Sequence, residues 1–156
     1  MSTEHQRQTS VASSPTEITR DEILAMFARR QEAFDDLDAA ALAADYADDV
    51  VIDSPMSGRH GKADAERYLR AFFDAFMDLK ATFEPPIIDG QHVAVIGMCE
   101  GTNMGGFMGV PPSGRGFKLQ TVMMFELRGR KIVREQRIYD FTGMLVQVGI
   151  LKAKPV

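Results

Sequence analysis

Two carboxylates stand where a strand hands over to a turn: Asp140, closing "KIVREQRIYD", and Asp53, in "VVIDSP". An acid carried toward a core must be protonated, paired or functional. A desolvated carboxylate with a raised pKa can take the proton alpha to a carbonyl, the first step of carbon-acid chemistry. Two carboxylates at one cavity would push their pKa values apart and leave one acid and one base. Each has a plainer alternative. Asp140 could pair with Arg137 or Lys118, or cap the following turn; Asp53 could be an Asx-turn acceptor before Pro55. Asn103 and Gln120 have the amide donors to meet a carbonyl or enolate oxygen. Tyr46 either points into the same pocket or packs under the second helix, and packing is the expectation. His60, in "SGRHGK", and His92, at a strand start, are expected at the surface. Cys99, in the apolar "VAVIGMC", reads as a core residue. The methionines Met98, Met104, Met108, Met123, Met124 and Met144 read as core that also suits a pliable apolar pocket.

The elements that must position these groups follow from pattern. Residues 1–16 are rich in Ser, Thr and Gln and are expected to form a disordered tail, with the folded domain over 17–156. "TRDE" at Thr19–Glu22 is a capping box, and Ile23, Phe27, Phe34 and Leu37 follow at helical spacing. "AAALAADYADD" predicts a short second helix, "VVIDSP" a brief strand stopped by Pro55. "GKADAERYLRAFFDAFMDL" predicts a third helix with Ala65, Leu69, Phe72, Phe73 and Phe76 in one stripe. "ATFEPPIIDG", "HVAVIGMCEGT", "FKLQTVMMFEL" and "KIVREQRIYD" then read as strands, with turns at Asp89-Gly90 and Arg128-Gly129. Helices followed by an antiparallel meander make an α+β layer arrangement. In the last strand neither face is cleanly apolar: Ile132, Arg134, Gln136, Ile138 and Asp140 alternate with Val133, Glu135, Arg137 and Tyr139. A partly polar inner face is what a ligand cavity needs, and a solvated edge strand would look the same.

Composition narrows the function classes. The chain has 156 residues, 45% of them apolar, and a net charge of −4 with scattered basic residues. Nucleic acid and anionic membrane are therefore poor partners. No apolar run approaches a bilayer span, and the N-terminus lacks the basic start and apolar stretch of a secretory signal, so cytoplasmic is the expectation. The single cysteine rules out an intrachain disulfide and a cysteine-based zinc site. There is no phosphate loop after a strand, no nucleophile elbow and no His/Cys metal spacing.

The layout resembles the cone-shaped α+β barrel of the nuclear transport factor two-like superfamily, with three N-terminal helices packed on a curved, mostly antiparallel sheet. Within it the chain resembles the SnoaL-like polyketide cyclases. The match rests on "ADDVVIDSP" at 47–55, "GTNMGGFMGVPPSGR" at 101–115 and "GRKIVREQRIYDFTGMLVQVG" at 129–149. The resemblance implies an intramolecular aldol condensation on a polyketide-like or polycyclic small molecule, without metal or organic cofactor. It gives Asp140 the catalytic acid/base role, at the floor of a pocket, with Asp53 beside it. It implies substrate contacts from Asn103, Gln120, Tyr46, Phe107 and Gln136, and a homo-oligomer paired through the outer sheet face, where Tyr139, Arg137 and Val133 would lie. Many relatives have histidine at the positions of Asp53 and Asn103, and His-Trp at Glu135-Gln136. Related scaffolds fit less well. Limonene-epoxide hydrolases have their water-activating aspartate where Arg137 stands, and ketosteroid isomerases need a first-helix tyrosine, absent here before Tyr46. A binding protein that kept the cone and lost its chemistry is the alternative of another class.

Overall fold

Thr19 starts the fold. Its hydroxyl accepts from the Glu22 amide at 3.2 Å while the Glu22 carboxylate accepts from the Thr19 amide at 2.9 Å, closing the capping box ahead of α1 (Arg20–Asp35). The computed structural model describes residues 17–153, so the expected tail over 1–16 lies outside the described residues. Four elements follow: α2 (Ala39–Ala44), β1 (Tyr46–Ser54), β2 (Gly58–His60) and α3 (Lys62–Ala75). The remainder is β3 (Lys80–Phe83), β4 (Ile87–Asp89), β5 (His92–Thr102), β6 (Gly116–Arg128), β7 (Lys131–Tyr139) and α4 (Phe141–Gln147).

The strands form one seven-stranded sheet in the order β2-β1-β7-β6-β5-β3, with β4 also paired to β5. Its neighbours run antiparallel except β1 and β7, which are parallel. The sheet curls around the helices without closing, and this is the α+β arrangement expected from the element order. The core falls into two clusters, one around Ile23, Phe27, Tyr46, Ile52 and Phe125, the other around Leu42, Phe73, Phe76, Phe117 and Met144.

Three local expectations change. The second helix stops at Ala44, and "YADD" begins β1 instead. Parallel pairing with β7, opened by the Ile132 amide donating to the Asp45 carbonyl at 2.8 Å, overrides the helix propensity of the alanines. "ATFEPPIIDG" is two strands, because Pro85 and Pro86 have no amide hydrogen to give the ladder. The segment after Asp140 is a fourth helix.

The largest change is in β7. Its register against β6 slips between Glu126 and Leu127: Leu127 faces Ile132, but Glu126 faces Arg134. Val133 is therefore an inserted residue, a β-bulge, and a bulge exchanges the two faces beyond it. Ile132, Glu135, Arg137 and Tyr139 face the helices, while Arg134, Gln136 and Ile138 face outward. The expectation that Arg137 and Tyr139 belong to the outer face is thereby reversed.

Candidate active site

Past the bulge, β7 carries charged groups into the cone. Glu135 is 1% exposed and accepts from the Tyr46 hydroxyl and, at 3.0 Å, from Arg137 Nε. Arg137 Nη2 reaches the Tyr46 oxygen at 3.4 Å. Burial alone would raise the Glu135 carboxyl, but the charges of Arg137 and Arg30 hold it below its ordinary value. Tyr46 moves the other way, pushed up to about 12 by burial and by Glu135, and stays a proton donor. The network continues away from the cavity. Arg30 donates to Asp45 at 3.0 Å and to the Leu42 carbonyl at 3.1 Å, and its guanidinium lies 5.5 Å from the Phe125 ring centre. Each buried charge is thus paired, as low-dielectric surroundings require.

Arg137 connects this network to a cavity. Its Nε and Nη2 are engaged, whereas Nη1 has no partner among the described residues. The cavity walls are aromatic and apolar, from Phe34, Leu69, Phe72, Phe117 and Met144, with a polar corner of Thr121, Arg137 and Tyr139. Burial raises the Tyr139 phenol, so it too is a neutral donor; its oxygen lies 3.3 Å from Ser54 Oγ. The free volume is about 80 Å³. Cys99 also borders the space, and burial pushes its thiol up to about 12, which makes it a poor nucleophile. Among the described residues no group of three or more His, Cys, Asp and Glu could hold a metal ion.

His60, expected at the surface, is buried. It is the last residue of β2, paired with Ile52 of β1, which in turn pairs with Glu135, so all three share the inner face. It is 8% exposed rather than a surface loop residue, and its ring meets the cavity-lining Tyr68 edge-on at 4.8 Å between centroids. Nδ1 lies 3.4 Å from the Gly58 carbonyl, an acceptor that calls for the Nδ1–H tautomer; buried Nε2 has no partner. Burial, and then the Arg137 charge, lower the imidazole below its ordinary value of 6.5. The unfolded chain therefore binds a proton that the folded chain resists. Stability from neutral His60 should be complete above about pH 6.5 and decline as pH falls from there toward the folded-state value. Urea midpoints at pH 7.5 and 5.5 check this: His60→Phe, which keeps the ring contact, should lessen the acid-side loss.

The comparisons decide the family. The profile of the SnoaL-like polyketide cyclases matches residues 24–148. The chain belongs to the SnoaL-like polyketide cyclase family. Solved structures share the fold of this SnoaL-like protein. AclR from Streptomyces galilaeus, named as a candidate hydroxylase, superposes with a TM-score of 0.76 at 23% identity, over 88% of this chain and 87% of that one. TsrD from Streptomyces laurentii gives 0.74 at 20%, over 86% and 100%. IdmH from Streptomyces antibioticus, a candidate polyketide cyclase, gives 0.65 at 28%, over 80% and 96%. No curated protein matches the sequence.

The SnoaL-like fold does not gather the sequence-predicted residues in the cavity. Asp140 is exposed and is the N-cap of α4, its carboxylate accepting from the Gly143 amide at 2.8 Å. The Asp-x-x-Gly spacing has a physical reason here: a Cβ at Gly143 would collide with that carboxylate. The expectation of a buried acid on the pocket floor is corrected, and the plainer capping alternative describes its geometry. Asp53 is ion-paired to Arg59 at 2.8 Å, and that bond holds its carboxyl below the ordinary range. Asn103 is fully buried, but its amide is spent on the loop, donating to Ser113 Oγ at 3.3 Å and accepting from Gly106 N at 3.1 Å. Gln120 and Gln136 are exposed on the outer face. Tyr46 is in the core and bonds to Glu135, one step behind the cavity wall. Phe107 packs on Phe72 and Phe76 instead of lining the space. Because Asp140 caps a helix, Asp140→Ala should cost about 1 kcal/mol of stability and Asp140→Asn almost nothing. Equilibrium unfolding of the two variants measures the difference.

Proposed function

We propose that the protein closes a ring in a polyketide-like small molecule by aldol-type carbon–carbon bond formation inside the cone. Family membership supports a cyclase-type role, and the observation that carries the finer reading is that Arg137, whose Nη1 has no partner among the described residues, lines the polar corner of an apolar cavity. In this reading His60, neutral and with a free Nε2, takes the place of the aspartate as the proton acceptor; it stands behind the cavity-lining Tyr68 and not on the wall itself, so Tyr68 must turn aside for substrate to reach it. It removes a proton alpha to a ketone, and the developing enolate oxygen is met by Arg137 and the Tyr139 hydroxyl. The enolate carbon attacks a second carbonyl carbon of the same molecule, and the resulting alkoxide takes back the proton. Atoms and electrons balance within the substrate, so the reaction needs no organic cofactor or metal. The test is the rate of ring closure of a linear poly-β-ketone by the wild type, His60→Gln and Arg137→Lys. Wild-type rates in both variants would sink the reading.

Among the described residues no element packs over the outer face of the sheet, where Met98 is 40% exposed and Met124 and Ile138 are each 48% exposed. Apolar patches of this kind mark contact surfaces. We propose a homo-oligomer, at least a dimer, paired through this face. Light scattering at micromolar concentration should find a multimer for the wild type and a monomer for Ile138→Glu; a monomeric wild type would contradict the proposal.

A further inference from the structure

A crevice beneath α1 shares part of its wall with the cone cavity. It has a volume of about 280 Å³ and is bordered mostly by apolar groups, among them Leu24 and Ala28 of α1, Pro85 and Pro86 of the link between β3 and β4, and Val95 of β5, with Arg30, Gln31 and Glu84 as its polar members. Phe34, Phe83 and Met123 line both spaces. They come from α1, β3 and β6, and beside them Gln31 of α1 holds the β3 backbone, donating to the Ala81 carbonyl at 2.7 Å and accepting from the Phe83 amide at 3.1 Å, so the part of the wall that can move is the three side chains. The rings of Phe34 and Phe83 lean on each other at 5.2 Å between centroids. Phe83 lies over Gly97, its register partner on β5, where a Cβ would come within 2.5 Å of the ring. The third member is a methionine, whose unbranched side chain changes rotamer at little cost.

Size gives the partition a consequence. Pockets that hold a drug-sized ligand span about 300–1,000 Å³. A cavity of about 80 Å³ cannot accommodate a chain or fused-ring molecule, whereas cavity and crevice together reach the lower end of that range. We propose that Phe34, Phe83 and Met123 form a displaceable partition, and that the crevice beneath α1 is a subsite for the apolar extension of an elongated ketone. The carbonyl end would lie at Arg137 and Tyr139; that placement rests on the cyclase reading above, whereas the subsite itself rests on the shared wall.

Titration calorimetry of the full chain with linear 2-alkanones, from 2-butanone to 2-decanone, tests both. Each methylene that leaves water should tighten binding roughly fourfold. The wild type should therefore gain affinity along the series. Ala28→Trp fills the crevice from an exposed position on α1 and should lower the ratio of 2-decanone to 2-butanone affinity by tenfold or more. Phe83→Ala merges the two spaces and should raise that ratio. A flat wild-type series, or the same ratio in wild type and Ala28→Trp, would overturn the subsite. Tyr139→Phe reads the other claim: it should weaken every ketone by one common factor. If it weakens none while the length effect persists, the carbonyl placement fails and the subsite stands.

Discussion

Glu135→Leu should lower the unfolding free energy by about 3–5 kcal/mol, the largest stability effect expected from a single side chain here. Among the described residues Glu135 is the only acid bonded to Arg137, and the pair is buried, with side chains 1% and 11% exposed. Removing the carboxylate strands a guanidinium in the core and leaves the Tyr46 hydroxyl without its acceptor. A variant that replaces both charges, Glu135→Leu with Arg137→Met, should recover much of the loss, because two apolar side chains leave no orphan. Urea unfolding of the two variants and the wild type measures this, and equal losses in both would show that the ion pair is not what the core depends on. The wild-type pH profile should carry the same signature. Because Glu135 titrates below its ordinary value of 4.5, its contribution is full above about pH 4.5 and is lost as pH falls through the folded-state value. That window lies below the one set by His60, which opens near pH 6.5.

The second large effect is on turnover. Arg137→Lys keeps a positive charge beside Glu135 but removes the guanidinium fork, and with it the free Nη1 at the cavity. Loss of one preorganised donor to a developing oxyanion costs roughly a hundredfold to a thousandfold in kcat. His60→Gln removes the proton acceptor and should cost roughly a hundredfold to ten-thousandfold, with ligand affinity retained. Asp140→Asn should turn over at the wild-type rate, since it keeps the helix cap and changes nothing that lines the cavity. If Asp140→Asn is the inactive variant and His60→Gln is not, the acid/base assignment passes back to the aspartate.

Much of the frame was legible in local pattern. The capping box at Thr19–Glu22, the hairpin turns at Asp89-Gly90 and Arg128-Gly129, and the order of helices before strands all depend on neighbours in sequence, and all appear in the structure. The site was harder because it depends on pairing. One inserted residue, Val133, sets Glu135 and Arg137 against the helices, and no side-chain type announces a bulge. The mixed polarity of the last strand was the available signal, because a salt bridge built into the inner face leaves neither face clean. His60 is buried because β2 folds back on β1 and Tyr68 of α3 packs on it, a tertiary fact that "SGRHGK" does not contain. Asp140 drew attention for the opposite reason: its spacing to Gly143 is a strong local motif, and the fold uses it to begin a helix.

In the proposed reaction Arg137 and Tyr139 hold the substrate carbonyls inside the cone. A crystal structure with a bound aromatic 1,3-diketone tests this most directly. A diketone oxygen should lie within hydrogen-bond distance of Arg137 Nη1 and the Tyr139 hydroxyl, with the ring system against Phe72 and Phe117. A diketone seated instead against Asp140 or Asp53, or on the outer face of the sheet, would contradict it.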